Sequence, residues 1–90
     1  MDPAIFHRIA KALADPRRFD ILQHIASVDE LPCQSLCALT PISKATLSHH
    51  LQELQSAGLI SVRKEGKFAH LQLNHSLWRD YRRELKKRIG

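Results

Sequence analysis

Glycine and proline are scarce in this chain, three and four among 90 residues. That scarcity excludes a turn-rich all-β fold and favours a mostly helical one. Aromatic residues make up only 6%, so aliphatic side chains must fill most of the core. No apolar run approaches the roughly 20 residues needed to cross a bilayer. Met1 to Leu13 shows neither an apolar leader core nor a cleavage pattern, so the expected location is the cytoplasm, with no membrane partner. Also missing are a nucleophile–base pair, a Gly-rich phosphate loop and paired carboxylates at a plausible cleft. An enzyme is therefore not expected.

What is present is one small domain, residues 1–90. At 43% hydrophobic and 26% charged residues its composition is that of a soluble globular protein. A chain this short buries only about 60–65% of its unfolded surface, so the core is thin. The net charge is +5, which favours a polyanionic partner. The positive charge is unevenly placed. Residues 1–42 carry four Lys/Arg against five Asp/Glu, residues 43–70 four against two, and residues 71–90 six against two.

Local signals divide the chain. Asp2-Pro3 and Asp15-Pro16 each pair an N-cap with proline at the first helical position. Ile5, Phe6, Ile9, Ala10 and Leu13 recur at helical spacing, which predicts a helix over about 2–13. Phe19, Ile21, Leu22, Ile25 and Ala26 predict a second over 16–27. Ser27 to Leu31 reads as a connection. Pro32 opens a short third helix, 32–39, which Thr40-Pro41 ends because a residue before proline avoids the α region. Ser43 caps a fourth helix, 43–57, whose Leu47, Leu51 and Leu54 form its apolar stripe. Ala57-Gly58 stops it. Residues 59–73 then read as a two-stranded hairpin turning at Lys64-Glu65-Gly66-Lys67. Residues 75–89 are helical again.

The expected fold is mainly α with a two-stranded β-hairpin, in the order α-α-α-α-β-β-α. The short helix, tight turn and longer helix over about 32–57 form a helix-turn-helix candidate. A hairpin directly after it makes this a winged helix-turn-helix, with the wing at about 59–73. With Leu47, Leu51 and Leu54 facing the core, Ala45, His49 and Gln52 face away, flanked by Thr46, Ser48 and Glu53. Short polar groups and imidazoles at a helix N-terminus suit the base edges of a major groove. Ser43, Lys44, Thr46, Ser48, His49 and Gln52 are the candidate DNA-binding residues of this helix. Arg63, Lys64 and Lys67 on the wing are candidates for phosphate or the minor groove.

Three motifs carry a family resemblance. Ala12-Leu13-Ala14-Asp15-Pro16-Arg17-Arg18-Phe19-Asp20-Ile21-Leu22 resembles the "ALADPTRLRIL" opening of the ArsR/SmtB, or arsenic-repressor, family. Ser43-Lys44-Ala45-Thr46-Leu47-Ser48-His49-His50-Leu51-Gln52-Glu53-Leu54 resembles its recognition-helix signature, "SQPTVSHHLKVL", and this resemblance adds His50 to the DNA-binding candidates. Ala57-Gly58-Leu59-Ile60 and Arg63-Lys64-Glu65-Gly66-Lys67 are similar to its entry into the wing. The resemblance covers residues 5–75. It implies a homodimer that binds an inverted-repeat DNA operator and represses transcription. It also implies dimerisation through the first and last helices, 2–13 and 75–89. Ile5, Phe6, Ile9, Trp78, Tyr81 and Leu85 are the corresponding interface candidates, with packing inside one chain as the alternative for Trp78, Tyr81 and Leu85.

Many members of that family sense a metal, arsenite or sulfur oxidation. Cys33 and Cys37 stand four apart on the third helix, so about 6 Å separates their side chains on one face. Two thiolates there could hold a soft ion such as As(III) or Cu(I). A disulfide within one turn would be strained. The family's arsenic motif, "ELCVCDLC", is here Glu30-Leu31-Pro32-Cys33-Gln34-Ser35-Leu36-Cys37, and only Cys37 falls on a family cysteine. The pair therefore reads first as small core hydrophobes and second as a thiol sensor. The Asp-x-His and His-x-x-Glu pattern of the family's other metal site is absent from the last helix, and that helix has no Cys. No metal cofactor is expected.

Two other functions compete. A winged helix can dock proteins instead of DNA, but it would then expose apolar anchors on helix 43–57. RNA binding would want exposed aromatics for stacking. The sequence supplies neither.

Overall fold

The computed structural model describes residues 1–90. Five helices surround one small antiparallel sheet. The elements are α1 (Pro3–Leu13), α2 (Pro16–Ala26), β1 (Leu31–Pro32), α3 (Cys33–Leu39), α4 (Lys44–Ser56), β2 (Ile60–Glu65), β3 (Phe68–Leu73) and α5 (His75–Ile89). No helix is long and apolar enough to cross a membrane.

The helix starts follow from their caps. The Asp2 carboxylate accepts from the Ala4 amide, and Asp15 accepts from the amides of Arg17 and Arg18. Those two donors hold the Asp15 carboxyl below its ordinary range, Arg18 contributing most. Ser43 Oγ accepts from the Thr46 amide at 3.2 Å. Asn74 caps α5 through Leu77 and donates its side-chain amide to the Gly58 carbonyl, fastening α5 to the end of α4. Helix α4 ends in a Schellman motif: Leu59 donates to Leu54 and Gly58 to Gln55, with Gly58 at φ +81°.

The expected two-stranded hairpin is a three-stranded sheet, ordered β1-β3-β2. Leu31 pairs with Leu71 and Pro32 with His70. A two-residue strand leaves no alternation to read, and proline usually argues against a strand. Here Pro32 fits because it lies at the sheet's edge. The wing turns on Gly66-Lys67, with Glu65 opposite Phe68 and Gly66 at φ +61°. Only the first turn residue needs positive φ, as in a type II′ hairpin.

Ile9, Ile21, Ile25, Leu36, Leu54, Leu59 and Leu71 are sealed in the core, drawn from four helices, the sheet and the α4–β2 connection. Burying each such side chain is worth about 1.5–3 kcal/mol. Three residues expected at a dimer interface also lie here. Phe6, Ile9 and Tyr81 are buried within the single chain, with the Phe6 and Tyr81 rings 5.3 Å apart. They join α1 to α5 in one protomer, so they are not a free face. Ile5 remains 47% exposed, and Trp78 and Leu85 are half-buried.

Candidate nucleic-acid interface

The turn between α3 and α4 is fixed by a buried hydroxyl. Thr40 Oγ1 donates to the Leu36 carbonyl at 3.0 Å, and extended backbone at Thr40 then turns the chain into the Ser43 cap. Helix α4 starts there with its first turns in solvent. Lys44, Ala45, Ser48, His49 and Gln52 are exposed, and Thr46 is half-buried. Ser43 also donates its hydroxyl to Thr46 Oγ1 at 3.0 Å, so these two hydroxyls order the helix start as well as facing outward.

The buried line of α4 differs from the expected leucine stripe. Leu47, His50, Leu54 and Ala57 are buried, while Leu51 is half-buried. Helix phase explains the change. The inward direction passes between Leu47 and His50, which leaves Leu51 at the margin, against the wing side. His50 was expected among the DNA-reading residues. The structure instead places it 6% exposed, with Nδ1 accepting from Arg18 Nε at 3.3 Å. It is a packing residue between α2 and α4, unavailable to base edges. Burial is the main reason its pKa falls below the ordinary imidazole value, so it is neutral at pH 7.

The wing brings a second correction. Arg63 was expected to grip phosphate. Its guanidinium is held by Glu30 at 2.6 and 3.3 Å and by Glu65 at 2.7 Å. The guanidinium in turn holds both carboxyls below their ordinary range. His70 lies 3.5 Å from Glu30 and 3.9 Å from Glu65. Arg63 therefore braces the wing, its charge already compensated. Lys64 and Lys67 are exposed and joined to no carboxylate, and Lys67 Nζ lies 5.6 Å from the Phe68 ring centre. With Lys44 they are the free cations of this side.

Cys33 and Cys37 are both free and half-buried. They open onto a cleft of about 530 Å³ between α3, α4 and β3, which Lys44, Ser48, Leu51 and Lys67 also line. Burial pushes the Cys33 thiol up, and Cys37 beside it adds to the shift. No group of three or more His, Cys, Asp or Glu side chains is placed to hold a metal. The donor set for a soft ion is these two sulfurs alone.

The arrangement is an exposed helix N-terminus with short polar side chains, beside a hairpin with a cationic tip. Residues 13–63, more than half of the chain, match a family model described as a helix-turn-helix domain. The chain is 40% identical over 72 residues to an arsenical resistance operon repressor of Staphylococcus xylosus, covering 74% of this chain and 64% of the relative. The chain belongs to the ArsR/SmtB family of winged helix-turn-helix regulators. It spans less than two thirds of that relative's length. Among solved structures, an ArsR-like transcriptional regulator from Rhodococcus sp. RHA1 superposes with a TM-score of 0.84 at 25% identity, covering 93% of this chain and 78% of that one. A homodimeric winged helix-turn-helix DNA-binding domain from Mycobacterium bovis superposes at 0.76 with 30% identity, covering 87% and 72%.

Within this ArsR/SmtB chain, sequence reasoning missed three residues that shape the interface. Arg18 and Glu30 act through partners 32 and 33 positions away, and no local pattern announces them. Phe68 read as a strand residue, yet it is 46% exposed beside Lys67 at the wing tip.

Proposed function

We propose that this chain is a homodimeric, sequence-specific DNA-binding repressor that recognises an inverted-repeat operator in the cytoplasm. The observation that carries this reading is the outward face of the first turns of α4. Ser48, His49 and Gln52 are exposed there, with Lys44 beside them and no large apolar side chain. Such a face can read base edges. The wing lysines, Lys64 and Lys67, are exposed and unpaired, and would meet the phosphates flanking such a groove. A relative named an operon repressor is similar in sequence, and a homodimeric winged helix-turn-helix DNA-binding domain is similar in fold.

A second reading, favoured by the half-buried, cleft-facing position of both thiols, makes Cys33 and Cys37 an inducer-responsive pair for a soft ion such as As(III) or an oxidant. Their cleft also holds Lys44, Ser48 and Lys67, so occupation would disturb residues assigned to DNA.

The test is fluorescence anisotropy at about 0.15 M salt, with duplex from upstream of the chain's own gene and then with duplexes chosen by in vitro site selection. A preference of about 10³-fold or more over shuffled DNA is expected. Equal, weak binding to every selected and shuffled duplex would overturn it in favour of a protein-docking module.

A further inference from the structure

Helix α5 carries more positive charge than its packing role requires. Counting about 100° per residue, Arg79, Arg83, Lys86 and Lys87 all lie within about 60° of the direction opposite Tyr81. Tyr81 is buried against α1, so those four side chains face solvent, and all four are exposed. None of them makes an ion pair. The carboxylates of α5 do not cancel the stripe. Glu84 is taken by Arg88 at 3.0 Å and by the N-terminal ammonium at 3.7 Å, and Asp80 stands at the stripe's edge. Arg82 lies apart, 5.9 Å from the Trp78 ring centre.

We propose that the outer face of α5, formed by Arg79, Arg83, Lys86 and Lys87, binds a second segment of duplex DNA, distinct from the one read by α4. The inference rests on the DNA-binding reading above. From Arg79 to Lys87 the stripe runs about 12 Å along the helix. A duplex carries about seven phosphate charges over that length. The stripe holds no aromatic or aliphatic anchor of the kind that centres a protein interface. A membrane surface is disfavoured because the stripe itself carries no apolar side chain to insert, and on the other side of α5 Tyr81 packs on Phe6 with Arg88 4.0 Å from the Phe6 ring centre. Bare, unpaired charge at helical spacing suits a phosphate backbone.

The stripe is also separate from the reading end of α4. Asn74 and Leu77, at the start of α5, meet Gly58, just beyond the far end of α4. Lys44 lies about 18 Å from that end along the helix. The start of α5 therefore lies at the opposite end of α4 from the residues assigned to DNA. On the reading side, meanwhile, Arg63 is spent on Glu30 and Glu65. The largest unpaired cationic cluster of the chain lies on this second face.

A bridging assay tests this. Protein is retained on a bead-bound 30-base-pair duplex of mixed sequence at about 0.1 M salt, and a second, fluorescent duplex is added. The wild type is expected to capture the second duplex. The triple variant Arg79→Gln, Arg83→Gln, Lys86→Gln should stay on the bead, which also reports that it is folded, yet capture at least tenfold less. Arg79→Lys, Arg83→Lys should restore capture. Equal capture by wild type and triple variant would overturn the proposal. So would wild type that is retained but captures nothing. A triple variant lost from the bead together with its second duplex would assign the stripe to the first duplex and also overturn it. Wild type that fails to bind any duplex would instead defeat the DNA-binding reading itself.

Discussion

Arg18 Nε donates to His50 Nδ1 at 3.3 Å, tying the first turn of α2 to the middle of α4. An arginine keeps its protons throughout the accessible pH range, so this contact exists only while Nδ1 is bare. Arg18 Nη1 also points at the Ala12 carbonyl at 3.5 Å, and Asp15 caps the same turn. The helix that carries the exposed polar face is thus held by a neutral histidine.

A dependence on pH follows. The folded pKa of His50 is depressed below 6.5, chiefly by burial, with Asp15 opposing and Arg18 reinforcing the shift. Between the two values the unfolded chain binds more protons than the folded one. The contribution of His50 is therefore complete above the unfolded pKa and is lost as pH falls through the folded pKa. Urea unfolding at pH 7.5 and at 5.5 should show lower stability at the acid value. His50→Gln keeps an acceptor for Arg18 without titrating, and should flatten that difference. An acid slope unchanged in the variant would remove His50 as its source.

The wing should divide into cations that meet DNA and one that does not. Lys67→Ala is expected to weaken binding to all sequences and to flatten the salt slope by about one. Arg63→Ala should leave that slope nearly unchanged, because Glu30 and Glu65 already compensate the charge. Titrations across a salt series distinguish the two, and equal slopes for both variants would contradict the assignment.

His49 is exposed beside the buried His50, so the two imidazoles should respond differently to truncation. His49→Ala is expected to reduce operator affinity by about 1–3 kcal/mol while leaving random-sequence binding intact. An unchanged ratio of the two affinities would take His49 off the base-reading face.

The helices α1 and α5 offer a test of assembly. Ile5→Glu places a charge on an exposed apolar position and should shift a dimer to monomer without unfolding it. Phe6→Ala should instead destabilise the fold by about 3–5 kcal/mol, since its ring is buried in the protomer. Sedimentation velocity beside thermal melts reads both effects. A folded, fully dimeric Ile5→Glu protein would exclude that residue from the interface.

The cysteine pair gives the remaining prediction. Arsenite or a mild oxidant should release DNA from the wild type but not from the Cys33→Ser, Cys37→Ser double variant. Anisotropy reads the release directly. Identical curves for the two proteins would leave both thiols as packing groups.

Much of this architecture was legible because its signals are local. Asp2-Pro3, Asp15-Pro16, Ser43 and Gly58 sit where the chain starts or stops a helix, and each cap needs only neighbours within a few residues. The exposed set of Lys44, Ser48, His49 and Gln52 followed from helical periodicity. The errors share a different cause. A histidine inside an apolar stripe carries no mark of burial until Arg18 meets it. Arg63 looks like a free cation until β1 pairs with β3 and sets Glu30 beside it. Phe6 and Tyr81 were expected at a dimer interface because the thin core of so short a chain hid how α1 and α5 close on each other.

Pro32 at the end of the sheet has a wider consequence. Its ring has no N–H to offer a further strand, and Cys33 turns into helix immediately after it. The opposite edge, β2, carries Arg63, Lys64 and Glu65 toward its tip. Neither margin of the sheet is a template on which another chain could add a strand. Contacts between copies of this chain are therefore left to its helices, without edge-to-edge strand pairing.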